Sequence, residues 1–128
     1  MILPVKTRSR TELVDITGDV QAAISEAGVR DGFCMVFVPH TTAAVTINEN
    51  ADPTVKDDML KVINKIIPWD DGYRHLEGNS AAHIKSTLVG ASELLAVVGG
   101  KLQLGTWQGI FFCEFDGPRR RKAHLHFI

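Results

Sequence analysis

The stretch FCMVFVPHTT, residues 33–42, joins six apolar residues directly to a proline, a histidine and two threonines. An unbroken apolar run of this kind is typical of a strand that is buried on both faces, and polar side chains at its end need hydrogen-bond partners or a ligand. Within ten residues the chain adds NENAD, residues 48–52, which contains two amides and two carboxylates. The sequence therefore predicts a core strand over residues 32–38 that ends at a polar site.

Working outward from this strand, short apolar segments alternate with turn residues along the chain. We predict strands at 2–8, 11–16, 32–38, 43–48, 93–98, 101–104, 107–115 and 119–127, and helices that begin at Thr17, Asp52 and Asn79 and stop at Gly28, Pro68 and Gly90. About eight strands, several of them joined by short turns, and about three helices favour an α+β fold with a largely antiparallel sheet or sandwich. At 128 residues the chain is predicted to be one compact domain, residues 1–128.

Capping residues delimit the second and third predicted helices. Asp52 is a good N-cap, and the proline after it suits the first helical position. Asn79 is expected to cap the third helix in the same way. The spacing of Ala81, Ile84 and Leu88 predicts that these three side chains face inward.

The composition excludes several classes of protein. With 45% apolar residues, 23% charged residues and a net charge of −1, the chain has no general electrostatic footprint for nucleic acid or membranes. No apolar run approaches the roughly 20 residues of a membrane span, and the N-terminus lacks the pattern of a signal peptide. Cys34 and Cys113 lie in apolar segments, so we expect free thiols and a cytoplasmic location.

Three histidines are candidates for the chemistry of the polar site. His40 follows the core strand, and His75 and His83 lie in a predicted long loop and in the third helix. Three histidines with one open position would suit zinc. The predicted cofactor, if one is bound, is a divalent metal, zinc or magnesium. In the alternative without a metal, one imidazole transfers a proton during the reaction. The spacing of the residues does not decide between these hypotheses.

The NENAD segment offers further polar side chains. On an extended chain Asn48 and Asn50 share one side and Glu49 points to the other, so only one subset can face the site. Asp52 has a sufficient role as a helix cap, and Asn50 is also a good turn residue. Both the functional and the structural interpretation of this segment stay open.

The C-terminal third contains an aromatic motif and a carboxylate among apolar residues. Glycines flank the segment with Trp107 and Gln108, which allows a ligand or another backbone to approach closely. Glu114 shares a strand face with apolar side chains, so it must be paired, protonated or placed at a subunit interface. Arg119 and Arg121 are its nearest predicted partners, and their guanidinium groups are equally suited to phosphate oxygens.

Together these motifs resemble those of the small YjbQ-like family, which is also labelled secondary thiamine-phosphate synthase. The resemblance covers essentially the whole chain and rests on HTTAA (residues 40–44), NEN (48–50), EGN (77–79) followed by AH (82–83), LGTWQ (104–108) and E-x-D-G-P-R-x-R (114–121). Ala81 and Ala96 depart from the residues expected in many relatives, an acidic residue and a proline. The resemblance implies an α+β subunit that assembles into a homotrimer, with clefts near the subunit boundaries. It also implies a weak thiamine-phosphate synthase activity, which joins a pyrimidine diphosphate to a thiazole phosphate and releases pyrophosphate.

We therefore predict an enzyme with a histidine-centred site near a subunit interface. The predicted catalytic residues are His40, His83, Glu49 and Asp52; the predicted substrate-binding residues are Thr41, Thr42, Asn48, Asn50, Asn79, Trp107, Gln108, Arg119 and Arg121; and the predicted metal ligands are His40, His75 and His83. The expected partners are a phosphorylated small molecule and further copies of the chain, but neither nucleic acid nor a membrane. The alternatives are a metal-dependent hydrolase and a non-catalytic trimeric protein that binds a phosphorylated metabolite.

Overall fold

Eight strands form two antiparallel sheets that pack face to face, in a computed structural model that describes residues 1–128. The strands are β1 (Ile2–Lys6), β2 (Glu12–Asp15), β3 (Gly32–Phe37), β4 (Ala43–Glu49), β5 (Ser92–Val98), β6 (Lys101–Leu102), β7 (Gln108–Glu114) and β8 (Arg120–Phe127). The first sheet has the order β1-β8-β3-β5-β6 and the second has the order β2-β7-β4. The predicted α+β fold with a largely antiparallel sandwich of about eight strands is confirmed.

Three helices complete the domain, and two of them lie on one side of the sandwich. The helices are α1 (Thr17–Ala27), α2 (Pro53–Ile66) and α3 (Ser80–Val89). α1 places Val20 and Ile24 in the core between the sheets. α2 and α3 lie over the outer face of the second sheet, where Ala82 of α3 packs against Cys113 of β7. The layers therefore follow the order first sheet, second sheet, helices.

The central strand β7 divides its side chains between two packed layers. Ile110 and Phe112 join the core between the sheets, whereas Cys113 faces the helices. Because side chains alternate along a strand, Glu114 lies on the same side as Phe112. Its carboxylate is fully buried and stands at the end of the space between the two sheets.

The outer face of the first sheet stays open to solvent. Cys34 and Val36 of β3 are buried, but Phe33 and Phe37 on the other face are exposed by 46% and 37%. The prediction that this strand is buried on both faces is therefore wrong for the single subunit. The reason is that both covering helices lie on the second sheet, so only the inner face of β3 meets a packed layer.

The helix α3 meets the second sheet through other residues than its sequence suggests. Ala81 is buried as predicted, but Ile84 and Leu88 are 39% and 67% exposed, so their predicted inward direction is wrong. Ala82 and Lys85 face inward instead. Alanines allow the helix to pack closely on β4, and the aliphatic stem of Lys85 covers apolar surface while its Nζ donates to Oδ1 of Asn64 at 2.6 Å.

The predicted helix ends are correct. α1 ends at Gly28, which has a φ of 70°, and the Asp52 side chain accepts a hydrogen bond from the Thr54 N–H at 3.0 Å at the start of α2. Asn79 occupies the N-cap position of α3 but makes no capping hydrogen bond. The predicted start of the helix at Asn79 is thus correct, but the side chain does not cap it, because its Nδ2 donates to two carboxylates of the polar site.

The two cysteines are buried and unpaired, as predicted. Burial raises the pKa of the Cys34 thiol to about 11 and that of the Cys113 thiol to about 12. Both thiols are therefore protonated near neutral pH and behave as small apolar side chains. No helix in the structure is long and apolar enough to cross a membrane.

Candidate functional site

Four segments bring polar side chains to one end of the sandwich. His40 follows β3 directly, and His75 lies in the long loop between α2 and α3. His83 lies on α3, one turn after its first residue. Arg119 and Arg121 stand at the start of β8, which pairs with β3 in the first sheet. Residues that are far apart in sequence therefore meet at one edge of the fold.

These side chains surround a polar space of about 380 Å³, which we call the histidine cavity. Its lining consists of Pro39, His40, Thr41, Thr42, His75, Glu77, Asn79, His83, Arg119 and Arg121. A neighbouring space of about 410 Å³ shares His40, Thr41 and His83 with it. Volumes of this size are typical of sites for small molecules. The structure thus brings together the three predicted histidines, both predicted arginines, the two threonines and Asn79.

His40 is held by the backbone of β8. Its Nε2 lies 3.1 Å from the N–H and 3.2 Å from the carbonyl oxygen of Lys122. Burial and the nearby Arg121 guanidinium lower the pKa of His40 below its ordinary value of 6.5, although the Lys122 carbonyl and Glu114 act in the opposite direction. The ring is therefore neutral near pH 7. When Nε2 accepts from the Lys122 N–H, the proton resides on Nδ1, which can donate to a ligand.

His75 and His83 lie next to each other across the loop and α3. Their ring centroids are 5.6 Å apart, with one ring edge directed toward the face of the other. His75 is exposed and His83 is half-buried, and both line the histidine cavity. A third space of about 440 Å³ also lies against both rings. His83 thus borders each of the three polar spaces at this end of the molecule.

A buried ion pair forms the floor of the histidine cavity and joins the two sheets. Nε of Arg121 donates to Oε1 of Glu114 at 2.9 Å, and Nη2 donates to Oε2 of the same carboxylate. Nη2 also donates to the hydroxyl of Thr42 at 2.8 Å, and the hydroxyl of Thr7 donates to Glu114 at 2.7 Å. Burial raises the pKa of Glu114, but its bonds to Arg121 and Thr7 outweigh this effect and leave the pKa below 4.5.

Asn79 connects two further carboxylates at the rim of the cavity. Its Nδ2 donates to Glu77 at 2.7 Å and to Asp116 at 2.8 Å. Asp116 in turn accepts from Nη2 of Arg119 at 2.8 Å. Asn79 is 4% exposed, and its Oδ1 has no hydrogen-bond partner within the chain. A buried acceptor without a donor is costly, so this atom marks a place where a ligand or water donates.

The charges in this region do not favour a bare anion. Two arginines are present, and each is already paired with a carboxylate, Arg121 with Glu114 and Arg119 with Asp116. Glu77 adds a third carboxylate. Among the arginines and carboxylates alone, two positive groups thus stand against three negative ones. A phosphorylated ligand therefore needs an additional positive charge, either on a histidine or on a metal ion that accompanies the ligand.

Six predicted site residues lie at the opposite end of β4: Asn48, Glu49, Asn50, Asp52, Trp107 and Gln108. β4 has seven residues, and at roughly 3.3 Å per residue it separates Thr42 from Asn48 by about 20 Å. Glu49 pairs with Gln108 in the ladder between β4 and β7, and Asp52 caps α2. None of these residues lines the histidine cavity. Within one subunit the structure therefore does not join the NENAD segment to His40 and His83.

At that opposite end the polar side chains form contacts that stabilise the local backbone. Nδ2 of Asn50 donates to Asp15 at 3.0 Å, and the Asn50 side chain covers Gly109, where a Cβ would lie only 2.6 Å from Nδ2. Oε1 of Gln108 accepts from the Gly105 N–H at 2.8 Å. Trp107 is 64% exposed and has no ligand site beside it in the cavities described above. These contacts support the structural interpretation of Asn50 and Gln108.

Comparison with known proteins assigns the chain to a family. The family model for the UPF0047 protein YjbQ-like family matches residues 1–128. The chain belongs to the YjbQ-like family. It is 56% identical to a UPF0047 protein of Methanocaldococcus jannaschii over 97% of this chain and 90% of the relative, and 53% identical to the UPF0047 protein YugU of Bacillus subtilis over 96% and 94%. A crystal structure of an uncharacterized YjbQ/UPF0047 family protein of Clostridium acetobutylicum, an orthologue of YugU, matches with a TM-score of 0.97 and 51% identity over 100% and 99% of the chains.

Three members of the site in this YjbQ-like chain were not among its predicted residues: Thr7, Glu77 and Asp116. In the sequence Glu77 stands out only as part of the EGN motif. Thr7 lies far from the other motifs along the chain, and nothing in its neighbourhood in the sequence sets it apart. Only the pairing of β1 with β8 brings its hydroxyl to Glu114 and to the Arg119 N–H. Asp116 begins the sequence D-G-P between the last two predicted strands, where a turn accounts for an aspartate without a role in the site. Its bond to Asn79 could have been found only from the fold.

Proposed function

We propose that this YjbQ-like protein is an enzyme that acts on phosphorylated small molecules in the histidine cavity, with thiamine-phosphate synthesis as the specific reaction. The observation that carries the proposal is the convergence of His40, His83 and Arg121 on one space of ligand size. The specific reaction rests on the resemblance to the secondary thiamine-phosphate synthases. The family and fold are consistent with it.

The reaction places limited demands on the protein. The bond between the pyrimidine methylene carbon and the pyrophosphate oxygen breaks, and its electron pair leaves with pyrophosphate. The thiazole ring nitrogen forms the new bond to carbon and becomes a thiazolium, so no proton leaves that nitrogen. The main requirement is stabilisation of the departing pyrophosphate by hydrogen-bond donors and positive charge. Nη1 of Arg121, which has no partner within the chain, and the rings of His40 and His83 would supply these donors.

A direct assay tests the proposed reaction. We expect the purified protein to convert the pyrimidine diphosphate and the thiazole phosphate into thiamine phosphate and equimolar pyrophosphate, as measured by chromatography. Neither product should form when one precursor is omitted. A raised melting temperature with the precursors but no product would instead favour the non-catalytic binding protein, since a ligand that binds only the folded state raises its apparent stability.

The charge of the site favours a second candidate, a metal-dependent hydrolase or transferase. An excess of carboxylates and the neighbouring rings of His75 and His83 suit a divalent cation. The fit is incomplete, because no three His, Cys, Asp or Glu side chains are placed to hold a metal by themselves. Magnesium commonly binds to one or two carboxylates together with substrate phosphates, so Glu77 is the candidate carboxylate. Metal analysis of untagged protein and titration of turnover with magnesium and zinc test this candidate.

We also propose that the chain forms the homotrimer implied by the resemblance. The support is the open outer face of the first sheet, where Phe33, Leu94 and Val98 are 46%, 59% and 54% exposed. Exposed apolar side chains that cluster on one sheet face are typical of subunit interfaces. His124 on this face has a buried Nε2 without a partner, which a neighbouring subunit would satisfy.

Leu94→Asp is expected to dissociate the oligomer. A carboxylate buried in an apolar interface without a partner costs several kcal/mol, enough to shift the assembly to monomers at micromolar concentration. Sedimentation equilibrium should give three times the 14.1-kDa subunit mass for the unaltered protein and a single subunit mass for the variant. Ala22→Asp, which adds the same charge on the exposed side of α1, should leave the mass unchanged. A trimer that survives Leu94→Asp would contradict this assignment of the interface.

A further inference from the structure

The space of about 440 Å³ that borders His75 and His83 has a different lining from the histidine cavity. We call it the Arg74 cavity, and its lining consists of Tyr73, Arg74, His75, Ser80, His83 and Ile84. Only the two histidines belong to both linings. Their rings therefore form a wall that the two spaces share.

The two spaces differ in charge. The histidine cavity contains Glu77, and each of its two arginines is already paired with a carboxylate. No aspartate or glutamate lines the Arg74 cavity, and Arg74 forms no ion pair within the chain. A full positive charge thus borders this space without a counter-ion. An anion that binds there meets the guanidinium without competing with a carboxylate.

The polar groups of the Arg74 cavity are hydrogen-bond donors. The guanidinium of Arg74 presents its N–H groups in a planar fork that matches the oxygens of a phosphate. Ser80 adds a hydroxyl group, and each imidazole carries at least one N–H group in either tautomer. A lining of this kind suits a ligand group that is rich in acceptors and negatively charged.

Two further residues of the lining provide apolar surface. Ile84 is 39% exposed at the Arg74 cavity, and Tyr73 contributes an aromatic ring. Apolar surface beside a cation suits a molecule that combines an apolar body with an anionic group. The lining therefore favours a phosphate monoester of a small organic molecule over inorganic phosphate.

The loop that carries Arg74 is held in place on both sides of this residue. The Tyr73 hydroxyl donates to the Pro68 carbonyl at 2.7 Å, and the Gly78 N–H donates to the His75 carbonyl at 3.0 Å. Arg74 lies between these two anchored residues, so its backbone is positioned before a ligand arrives. Positioning of this kind reduces the entropy that binding costs.

We infer that the Arg74 cavity binds the phosphate group of a phosphate monoester and that Arg74 supplies the counter-charge. The identity of the monoester rests on the proposed reaction, in which one phosphorylated group reacts and the other does not. The departing pyrophosphate is assigned to the histidine cavity beside His40 and Arg121. The thiazole phosphate keeps its phosphate throughout the reaction, so this unreactive group is the one that the Arg74 cavity holds.

Phenyl phosphate tests the site without the reaction. In an NMR titration at constant pH and with EDTA present, it should shift the ring resonances of His75 and His83 in one saturable process. The ring of His40 should not shift, because His40 does not line the Arg74 cavity. Phenol, which lacks the phosphate, should shift none of the three rings at the same concentrations. No shift of His75 and His83 with phenyl phosphate, or an equal shift of His40, would overturn the inference.

Matched arginine variants locate the bound phosphate. Arg74→Gln removes the charge and is expected to raise the Kd of phenyl phosphate about tenfold or more. Arg30→Gln removes the same charge from an exposed residue next to the turn between β5 and β6 and should leave the Kd unchanged. Circular dichroism shows whether both variants are folded. An unchanged Kd in folded Arg74→Gln would also overturn the inference.

Kinetics separate this inference from the proposed reaction. Arg74→Gln should raise the KM for the thiazole phosphate about tenfold and change kcat by less than about threefold, because an unreactive phosphate is bound equally in the ground state and the transition state. An unchanged KM in an active Arg74→Gln enzyme would refute the assignment of the thiazole phosphate to this cavity. A lack of turnover in the unaltered protein would contradict the proposed reaction instead, and the titration with phenyl phosphate would still decide whether the cavity binds a monoester.

Discussion

Glu114→Ala is expected to lower the free energy of unfolding by about 3–5 kcal/mol, the cost of leaving one partner of a buried ion pair without its counter-ion. Arg121 is 7% exposed and donates two of its hydrogen bonds to Glu114, so its charge would remain buried and uncompensated. Urea denaturation followed by circular dichroism measures the change. Glu26→Ala removes an exposed carboxylate on α1 and should change the stability by less than about 0.5 kcal/mol.

A double variant separates the loss of the pair from the loss of one partner. Replacing both Glu114 and Arg121 by methionine removes the charges together and should restore much of the stability lost in Glu114→Ala, because apolar side chains of similar volume often replace a buried pair without loss. A change of less than about 1 kcal/mol in Glu114→Ala would contradict the buried bidentate geometry.

The same carboxylate predicts how stability responds to acid. The pKa of Glu114 in the folded chain lies below its ordinary value of 4.5, since its bonds to Arg121 and Thr7 outweigh the effect of burial. The carboxylate therefore stabilises the fold at pH values above 4.5, and this contribution is lost as the pH falls through the lower pKa of the folded state. Urea titrations between pH 7 and about pH 3 should show a smaller acid dependence in the double methionine variant.

His83→Ala is expected to lower kcat for thiamine-phosphate formation by about 100-fold or more, the typical loss when one donor to a developing anion is removed. His83 borders all three polar spaces at this end of the molecule, so no reacting group bound there can be far from its ring. Because the interaction strengthens as pyrophosphate departs, kcat should fall more than KM rises. Initial rates at several precursor concentrations separate the two constants.

Two control variants accompany the His83 measurement. His83→Gln retains a hydrogen-bond donor without the imidazole and should keep more activity than the alanine variant. Gln103→Ala changes an exposed residue beside β6, away from the cavity, and should be indistinguishable from the unaltered protein. Unchanged turnover in His83→Ala would exclude His83 from the reaction.

The parts of the fold that were predictable are those decided by local chemistry. The caps at Asp52 and Gly28 delimit α2 and α1, and the apolar run at residues 33–38 is the strand that leads to His40. The same reasoning expected polar side chains to gather where this strand ends, and His40 lines the histidine cavity there. The ion pair of Glu114 was one of three outcomes that the sequence left open for a carboxylate on an apolar strand face, and Arg121 is its partner.

What could not be predicted depends on contacts between distant segments. Asn48 follows Thr42 by only six positions, but an extended strand carries it to the other end of the sheet. On α3 the apolar spacing favoured Ile84 and Leu88, whereas the close approach to β4 selects the alanines and the stem of Lys85. The exposure of the outer face of β3 could not be predicted for the same reason, because a sequence does not show which sheet the helices will cover.

The five histidines of the chain allow a direct test of the histidine cavity by NMR. His40, His75 and His83 line that cavity, whereas His124 and His126 lie on the outer face of the first sheet. Titration with pyrophosphate, with and without magnesium, should shift the ring resonances of the first three in one saturable process and leave those of His124 and His126 unchanged. Shifts confined to His124 and His126, or none in any ring while turnover is observed, would contradict the assignment of the histidine cavity as the functional site.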